Sequence, residues 1–428
     1  MYKLITQKLK EREKPINVAI VGCGWYGSGV AKELHRIPGM LPKVLINRTI
    51  EKAVAAFLEM GINKNDIAVV HNSKELSLAQ NSAKYIAFSD FELIKELKGI
   101  DVIFEATGNI LAGAKAALDS IEAGIHFVTI NSEMDATIGL RLANLAAEKG
   151  IVYSNSDGDQ PGCLARMLNE VIAWGFEPRI VGNCKEFFDM YQTPLGVKPF
   201  VPKGQDAFKI CSYTDGTKQS FELAVVGNAF GYHPLKRGMY GPRTLKKDLI
   251  KTFDDLVNLK SLKGGHIEYT LGTCEPNQGG PVFIIACSED PRLKADMKLL
   301  KKGEGPHYLF FRDHHLCSIE TPSTIAEVDL FNIPTLSPKG RYVDAVAIAK
   351  RDLKPGQKLD GIGGYDCYGV VERADITAKE SLLPIGLVGF ATVKKKIPKD
   401  TPITYDMVDV SDSLIVKLRK EQDQLPLH

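Results

Sequence analysis

Apolar and polar positions follow two different periods along the first 180 residues. Short unbroken apolar runs, as a strand buried on both faces requires, occur at 16–22, 43–47, 85–88, 101–106, 126–131 and 151–154. Between and after them, apolar residues recur at helical spacing over 27–36, 49–59, 91–98, 110–123, 136–149 and 162–175. Six such units predict a doubly wound parallel sheet. The stretch Gly61 to Lys84 fits neither period and reads as a surface insertion. Residues 1–14 read as a charged leader helix or a loose arm.

Beyond residue 180 the pattern changes. Residues 208–213 and 218–226 flank Thr214-Asp215-Gly216-Thr217, which predicts a hairpin with an Asp-Gly turn. Further strands are expected at 282–286 and 309–311, and a helix at 245–259. This describes an α+β substrate and dimerisation domain on a mixed or antiparallel sheet. The helical stretch Pro322–Phe331 is expected to return to the first domain. From Tyr342 the segment 349–360 is echoed by 393–404, each copy a basic-apolar step, a proline turn and a short strand. The expected class is α/β: a Rossmann-type doubly wound sheet, the α+β domain and a small β-rich C-terminal module. The boundaries expected are 1–15 for the arm, 16–182, 183–340 and 341–428.

Composition narrows the function classes. Lysine and arginine total 54 against 52 acidic residues, so no net charge favours nucleic acid or an anionic membrane as partner. No apolar run is long enough to span a bilayer, and the polar N-terminus lacks a signal-peptide core. The eight cysteines are scattered without a C-x-x-C pair, which suits reduced thiols in the cytoplasm.

The chemistry is concentrated at strand ends. Gly22, Gly24 and Gly27 form G-x-G-x-x-G between the first strand and first helix, with Trp25 and Tyr26 inside the turn. The first glycine permits the turn, the second lets a pyrophosphate approach, and the third packs helix on strand. Phosphate would sit on the helix N-terminus. The second strand ends in Asn47-Arg48 rather than an acidic residue; an arginine there accommodates the 2′-phosphate of NADP, and NAD stays the alternative. Ala106, Thr107 and Gly108 end the fourth strand and suit packing against the nicotinamide-side ribose, unless they form an ordinary turn with a helix cap. Asn131 and Glu133 follow the fifth strand, near the expected nicotinamide.

Other candidates are less tied to motif. Lys185 could protonate or hold a carbonyl oxygen, or bind phosphate, with Asp189 nearby; a surface cation is the bland reading. Asn228 and Arg243 could orient a polyol phosphate, or belong to a glycine-rich structural loop. The His314-His315 pair, taken as lying on a strand, sends its rings to opposite faces, leaving His315 as an acid or phosphate ligand, or a structural histidine. Cys163 at a helix start is a thiol nucleophile or a small core residue. Glu133, Asp157 and Asp159 could gather around Mg²⁺ or Mn²⁺, or simply cap helices.

Several motifs together resemble a known family. These are Gly22–Gly27, Glu105-Ala106-Thr107-Gly108, Asn131 to Gly139, Gly158-Asp159-Gln160-Pro161, Asn228-Ala229, Gly238 to Arg243, Asp290-Pro291-Arg292-Leu293 and Gly303–His315. The two leading domains resemble homoserine-dehydrogenase-like oxidoreductases, and the C-terminal repeat resembles a SAF (antifreeze-like) module. The combination resembles the deoxyxylulose-phosphate reductoisomerase-like (DRL) family. That resemblance implies NADPH-dependent rearrangement and reduction of 1-deoxy-D-xylulose 5-phosphate to 2-C-methyl-D-erythritol 4-phosphate, the first committed step of non-mevalonate isoprenoid synthesis. It also implies a homodimer or larger homo-oligomer. The chain departs from the family at Phe187, Phe188 and Met190, where small polar residues are expected. A dehydrogenase of another sugar or polyol phosphate or nucleotide sugar, an aldehyde dehydrogenase using Cys163, and a non-catalytic NADPH sensor stay open.

Overall fold

A computed structural model describes residues 2–202, 204–274 and 280–428. Contacts gather the chain into two units, one of Met1–Met134, Arg141–Gly162 and Leu316–Ser337, the other of Asp135–Leu140, Cys163–His315 and Pro338–His428. This division follows spatial packing and does not run at 182 and 340 along the chain.

The first unit is built on seven parallel strands: β1 (Ile16–Val21), β2 (Met40–Ile46), β3 (Ile67–Val70), β4 (Tyr85–Phe88), β5 (Val102–Glu105), β6 (His126–Thr129) and β7 (Tyr153–Asn155). Their order is β3-β4-β2-β1-β5-β6-β7. Setting β3 aside, this is the dinucleotide-fold order with β1 beside the point where the winding reverses. All six expected strands are present, and β1, β4 and β5 bury nearly every side chain, as unbroken apolar runs require.

The surface insertion expected between Gly61 and Lys84 is instead the seventh strand and a helix, Ser73–Ser82. Its signal is a capping box. Asn72 accepts from the Glu75 N–H at 3.0 Å, and Glu75 reaches back to the His71 N–H at 2.8 Å. The strand leaves little signal in the sequence because it has four residues at the sheet's edge, where only Ile67 and Val70 are buried. The helix expected at 91–98 is a short 3₁₀ segment, Phe91–Glu96. The N-terminal arm is a helix, Tyr2–Glu11, which buries Ile5 and Leu9 in the same core as Ile325 and Val328 of the returning helix Thr321–Phe331.

The second unit centres on a five-stranded mixed sheet of order β12-β11-β8-β10-β9: β8 (Glu177–Lys185), β9 (His233–Pro234), β10 (His266–Leu271), β11 (Val282–Cys287) and β12 (His307–Arg312). β10 runs parallel to β8, and β11 antiparallel to it. The hairpin expected over 208–226 is a pair of helices, Ala207–Thr214 and Thr217–Phe230. Every residue from Gln219 to Ala229 is buried, so the run has no alternating face, and fourteen residues suit a buried helix better than a strand. The Asp-Gly step joins the helices, with Asp215 accepting from the Thr217 N–H at 2.9 Å and Gly216 at φ +87°.

The C-terminal repeat contains β13 (Val343–Ala349), β14 (Cys367–Arg373), β15 (Ala391–Val393) and β16 (Val408–Val410). Its two copies face each other about a pseudo-two-fold axis. Leu353 and Ile397, equivalent in the repeat, bond mutually at 2.8 and 3.1 Å. The Ala349 N–H to Thr401 O bond (3.1 Å) is mirrored by Val393 N–H to Gln357 O (2.9 Å), and Ile403 N–H to Ala347 O (2.9 Å) by Leu359 N–H to Ala391 O (3.0 Å). Neither copy can complete its backbone hydrogen bonding alone, so the repeat specifies one closed unit.

Candidate dinucleotide and substrate sites

At the glycine turn, two of the three glycines have no alternative. A methyl on Gly27 would lie 1.9 Å from the Gly22 carbonyl oxygen, and one on Gly22, at φ +99°, 2.8 Å from the Ala106 carbonyl. Gly24 has open space instead, with nothing within 4 Å of where a Cβ would stand. It begins the helix Trp25–Arg36, and no side chain caps that helix. The first helical N–H groups therefore face open space beside the end of β1, which fits an anion such as a pyrophosphate.

Neighbouring residues hold this cradle. Asn47 accepts from the Cys23 N–H at 3.0 Å and donates to the Thr49 carbonyl at 2.8 Å, so its amide braces the turn. Arg48 is exposed and forms no ion pair with any described residue of its unit. Trp25 is 74% exposed, whereas Tyr26 turns inward, stacks on Phe104 and bonds the Thr321 hydroxyl at 3.1 Å. Burial raises the Tyr26 phenol well above its usual range, so it stays neutral.

Glu105, to which the sequence gives no role beyond opening the Glu105-Ala106-Thr107-Gly108 motif, organises the strand ends. It is fully buried at the end of β5 and accepts from the Thr107 N–H (2.7 Å), the Thr107 hydroxyl and the Thr129 hydroxyl (2.7 Å). Burial pushes its carboxyl up, and these donors oppose the shift. Ala106 packs its backbone on Gly22, and Gly108 turns at φ +62°. Asn131, expected to face the nicotinamide, is 1% exposed; its amide donates to Asn109 O (3.2 Å) and caps the helix Ser132–Glu148 through the Met134 N–H (3.1 Å). It thus shapes the crevice from behind. Glu133 is half-buried on the first turn of that helix. Glu133, Asp157 and Asp159 do not converge as a metal-ligand group among the described residues. Asp157 instead sits in a hydroxyl network, with its N–H on Thr324 and its carbonyl taking the Thr321 hydroxyl.

In the second unit, Lys185 ends β8 with its ammonium 3.2 Å from Glu222. Asn183, two residues earlier on the same face, donates to the same oxygen at 3.4 Å, and Lys218 stands 4.0 Å from the other. Glu222 is 5% exposed on the helix Thr217–Phe230. An acid inside so apolar a run signals a cationic partner, which is how sequence could have found it. Asp189 accepts from the Tyr191 N–H at 3.0 Å in a local turn. Phe188 packs on Tyr269 with ring centroids 5.3 Å apart.

Asn228 and Arg243 do not come together. Asn228 is spent on structure, accepting from the Tyr342 and Val343 N–H groups (3.0 Å each) and donating to Val343 O (3.1 Å). Its neighbour Gly227 packs by Ile267, while Arg243 bridges Leu271, four residues along β10, or about 13 Å away. The reading of Asn228 as a phosphate ligand is therefore replaced by a structural one. His315 lies beyond the end of β12 rather than on a strand; its Nδ1 donates to Gly280 O at 3.1 Å, leaving Nε2 as the other ring nitrogen.

Glu268, buried on β10, takes the Tyr240 N–H at 3.0 Å and the Gly241 N–H at 3.3 Å, so the glycine-rich loop gives its donors to a carboxylate of the chain itself. Burial pushes this carboxyl from 4.5 up to about 7, outweighing those donors. The group binds its proton more tightly when folded, so its contribution to stability falls as pH rises from about 4.5 through 7 and is level outside that window. Urea unfolding from pH 5 to 8 is expected to show wild type losing about 2–3 kcal/mol relative to Glu268→Gln. Parallel curves for the two proteins would contradict this account.

The doubly wound first unit, with its uncapped glycine turn at the reversal point, defines the class: an enzyme of the NAD(P)-dependent oxidoreductases. Residues 158–321 match the family described as oxidoreductase DRL, catalytic domain. No curated protein matches the sequence. Among solved structures, a probable dehydrogenase from Thermotoga maritima matches at 10% identity over 74% of this chain and 90% of its own, with TM-score 0.43. A myo-inositol dehydrogenase from Corynebacterium glutamicum matches at 9% over 74% and 89%, TM-score 0.42. KijD10, a 3-ketoreductase from Actinomadura kijaniata solved with TDP-benzene and NADP, matches at 11% over 74% and 90%, TM-score 0.38.

Proposed function

We propose that this enzyme uses NADPH to reduce a phosphorylated keto-sugar, and that the sugar is 1-deoxy-D-xylulose 5-phosphate, rearranged and reduced to 2-C-methyl-D-erythritol 4-phosphate. The observation that carries the proposal is the match of residues 158–321 to the DRL catalytic domain, in a chain whose glycine turn leaves a helix start uncapped. The bound cofactor supplies hydride. Gly22, Gly24 and Gly27 receive its pyrophosphate, Arg48 its 2′-phosphate, and Ala106 to Gly108 its nicotinamide half. Lys185 holds the carbonyl oxygen, and Arg243 takes the substrate phosphate. Glu133, Asp189 and His315 are the groups assigned to proton transfer. The setting proposed is cytoplasmic isoprenoid synthesis by a homo-oligomer, with the C-terminal repeat as a SAF-like module.

A second reading, a dehydrogenase of another sugar or polyol phosphate without rearrangement, is favoured by the Phe188–Tyr269 pair. Tyr269 is the register partner of Asn183, on the face that Lys185 shares, and makes it more apolar.

The deciding experiment incubates the purified protein with deoxyxylulose phosphate, NADPH and Mg²⁺ or Mn²⁺, following absorbance at 340 nm and the product by NMR. Absence of NADPH consumption removes this substrate, and consumption with an unrearranged carbon skeleton selects the second reading. Tight NADPH binding without turnover across a sugar-phosphate panel would indicate a sensor. Cofactor choice is tested separately: Arg48→Ala is expected to weaken NADPH binding about tenfold, roughly 1.4 kcal/mol, and NADH binding less than about twofold. Equal losses for both would remove Arg48 from 2′-phosphate recognition.

A further inference from the structure

The helix Leu249–Val257 covers the sheet face away from Lys185, burying Leu249 and Phe253 against Ile180, Cys184, Phe283 and Ile285. Ile250, Leu309 and Phe311 pack on this cluster but keep part of their surface exposed. A cavity of about 550 Å³ opens beside them, and among the residues that line it are Leu245, Lys246, Lys247, Ile250, Thr273 and Leu309. Its size is that of a small-molecule site. The walls are already fixed. The Thr244 N–H bonds Leu271 O at 2.9 Å, and the Thr244 hydroxyl meets that of Thr252 at 2.7 Å. Thr273 donates to Thr244 O at 3.0 Å, and the Asp248 N–H closes a turn on Leu245 O at 2.9 Å. The segment Thr244–Asp248 is thereby tied both to the end of β10 and to the helix, so a ligand meets it already ordered.

Polarity is divided across the opening. Leu245, 56% exposed, stands with Ile250 and Leu309 as an apolar wall that a hydrocarbon chain would cover favourably. Lys246 and Lys247 are exposed, and neither forms an ion pair with a described residue. The Lys246 ammonium stands 4.1 Å from the centre of the Phe311 ring, which holds it beside that wall. The carboxyl of Asp313 is lowered chiefly by its bond to His314 (2.5 Å) and to a smaller extent by Lys246, so it does not neutralise that ammonium.

We propose that this cavity binds a phosphate monoester of a short aliphatic alcohol, with its chain along Leu245, Ile250 and Leu309 and its phosphate between the two ammonium groups. A phosphate dianion answers two adjacent cations, where a carboxylate answers one. A bare phosphate or an uncharged alcohol would each use only half of the site. The site is on the other side of the sheet from Lys185 and does not depend on the reaction proposed above. It is nonetheless close to that residue along the sheet, because β10 ends at Leu271, the register partner of Lys185.

The test is isothermal titration of the full-length protein with hexyl phosphate, compared with inorganic phosphate, 1-hexanol and hexanoate. Hexyl phosphate is expected to bind at least about tenfold more tightly than each of the three. From butyl to hexyl phosphate the affinity should rise about three- to fourfold per methylene, as for a buried CH₂. Lys246→Gln and Lys247→Gln together should weaken hexyl phosphate at least about tenfold and reduce the salt dependence of its binding. Leu245→Ser should flatten the chain-length series instead. Hexyl phosphate binding no better than inorganic phosphate, equal binding of hexanoate, or full binding by the double lysine variant would overturn the proposal. The wild-type series over chain length and head group decides the matter even if a variant folds poorly.

Discussion

Gly27→Ala is expected to abolish dinucleotide binding, weakening NADPH at least about 100-fold in a fluorescence titration that reads exposed Trp25. The added carbon would lie 1.9 Å from the Gly22 oxygen and 3.1 Å from its carbonyl carbon, and both are backbone atoms that no rotamer change can move. Gly22 has little room to retreat, because at φ +99° even a methyl added to it would lie 2.8 Å from the Ala106 carbonyl. The helix must therefore shift away from β1, carrying its uncapped N–H groups out of register with the turn. The matched control is Gly24→Ala. Its φ of −77° suits alanine and no protein atom lies within 4 Å, so its melting temperature should equal wild type. It should lose NADPH affinity because the space it fills belongs to the ligand. If Gly27→Ala binds normally, or Gly24→Ala binds as wild type, the turn is not a pyrophosphate cradle.

Lys350→Met is expected to cost about 3–5 kcal/mol, read by urea unfolding of the whole protein. The Lys350 ammonium lies 2.7 Å from Asp215, from Gln192 O and from Gly364 O, and 3.7 Å from the Cys211 sulfur, with its side chain 2% exposed. Methionine fills similar volume but leaves the fully buried Asp215 without its cation, removes the ammonium from the Gly364 carbonyl, and leaves the Gln192 carbonyl only the Cys211 thiol. Asp215 starts the turn into the helix that carries Glu222, so the damage extends beyond the repeat. Adding Asp215→Asn to Lys350→Met should recover about 1–2 kcal/mol, because the uncompensated charge is then gone. A loss under about 0.5 kcal/mol, or a transition confined to the repeat, would make 341–428 an independent module.

These two sites differ in how far the residues alone revealed them. The glycine turn is legible because its determinants are local: six residues, one backbone path and a helix that begins where the strand ends. The repeat was visible as a repeat, yet its pairing was not, since only folding brings Leu353 against Ile397. The failed hairpin shows the limit most directly. Lys218 to Val226 mixes polar and apolar residues without a clear period, and whether it forms strand or helix depends on its being enclosed by the rest of the fold.

Asn228 and Arg243 share a glycine-rich stretch, which suggested a shared ligand. β10 separates them, with one at each end of the strand. Glu105, Glu222 and Glu268 are ordinary acids in sequence. They matter because burial withholds water and leaves each one to neighbours that are distant in the chain or donated by a turn.

By itself, then, the sequence determined the parallel nucleotide-type sheet, the glycine turn and the near-neutral surface, all of which follow from local periodicity and composition. Tertiary structure alone decided the seventh strand, the two-unit division, the self-paired repeat and the Lys185–Glu222 pair. Burial and pairing depend on what lies across space, and spacing along the chain does not carry that information.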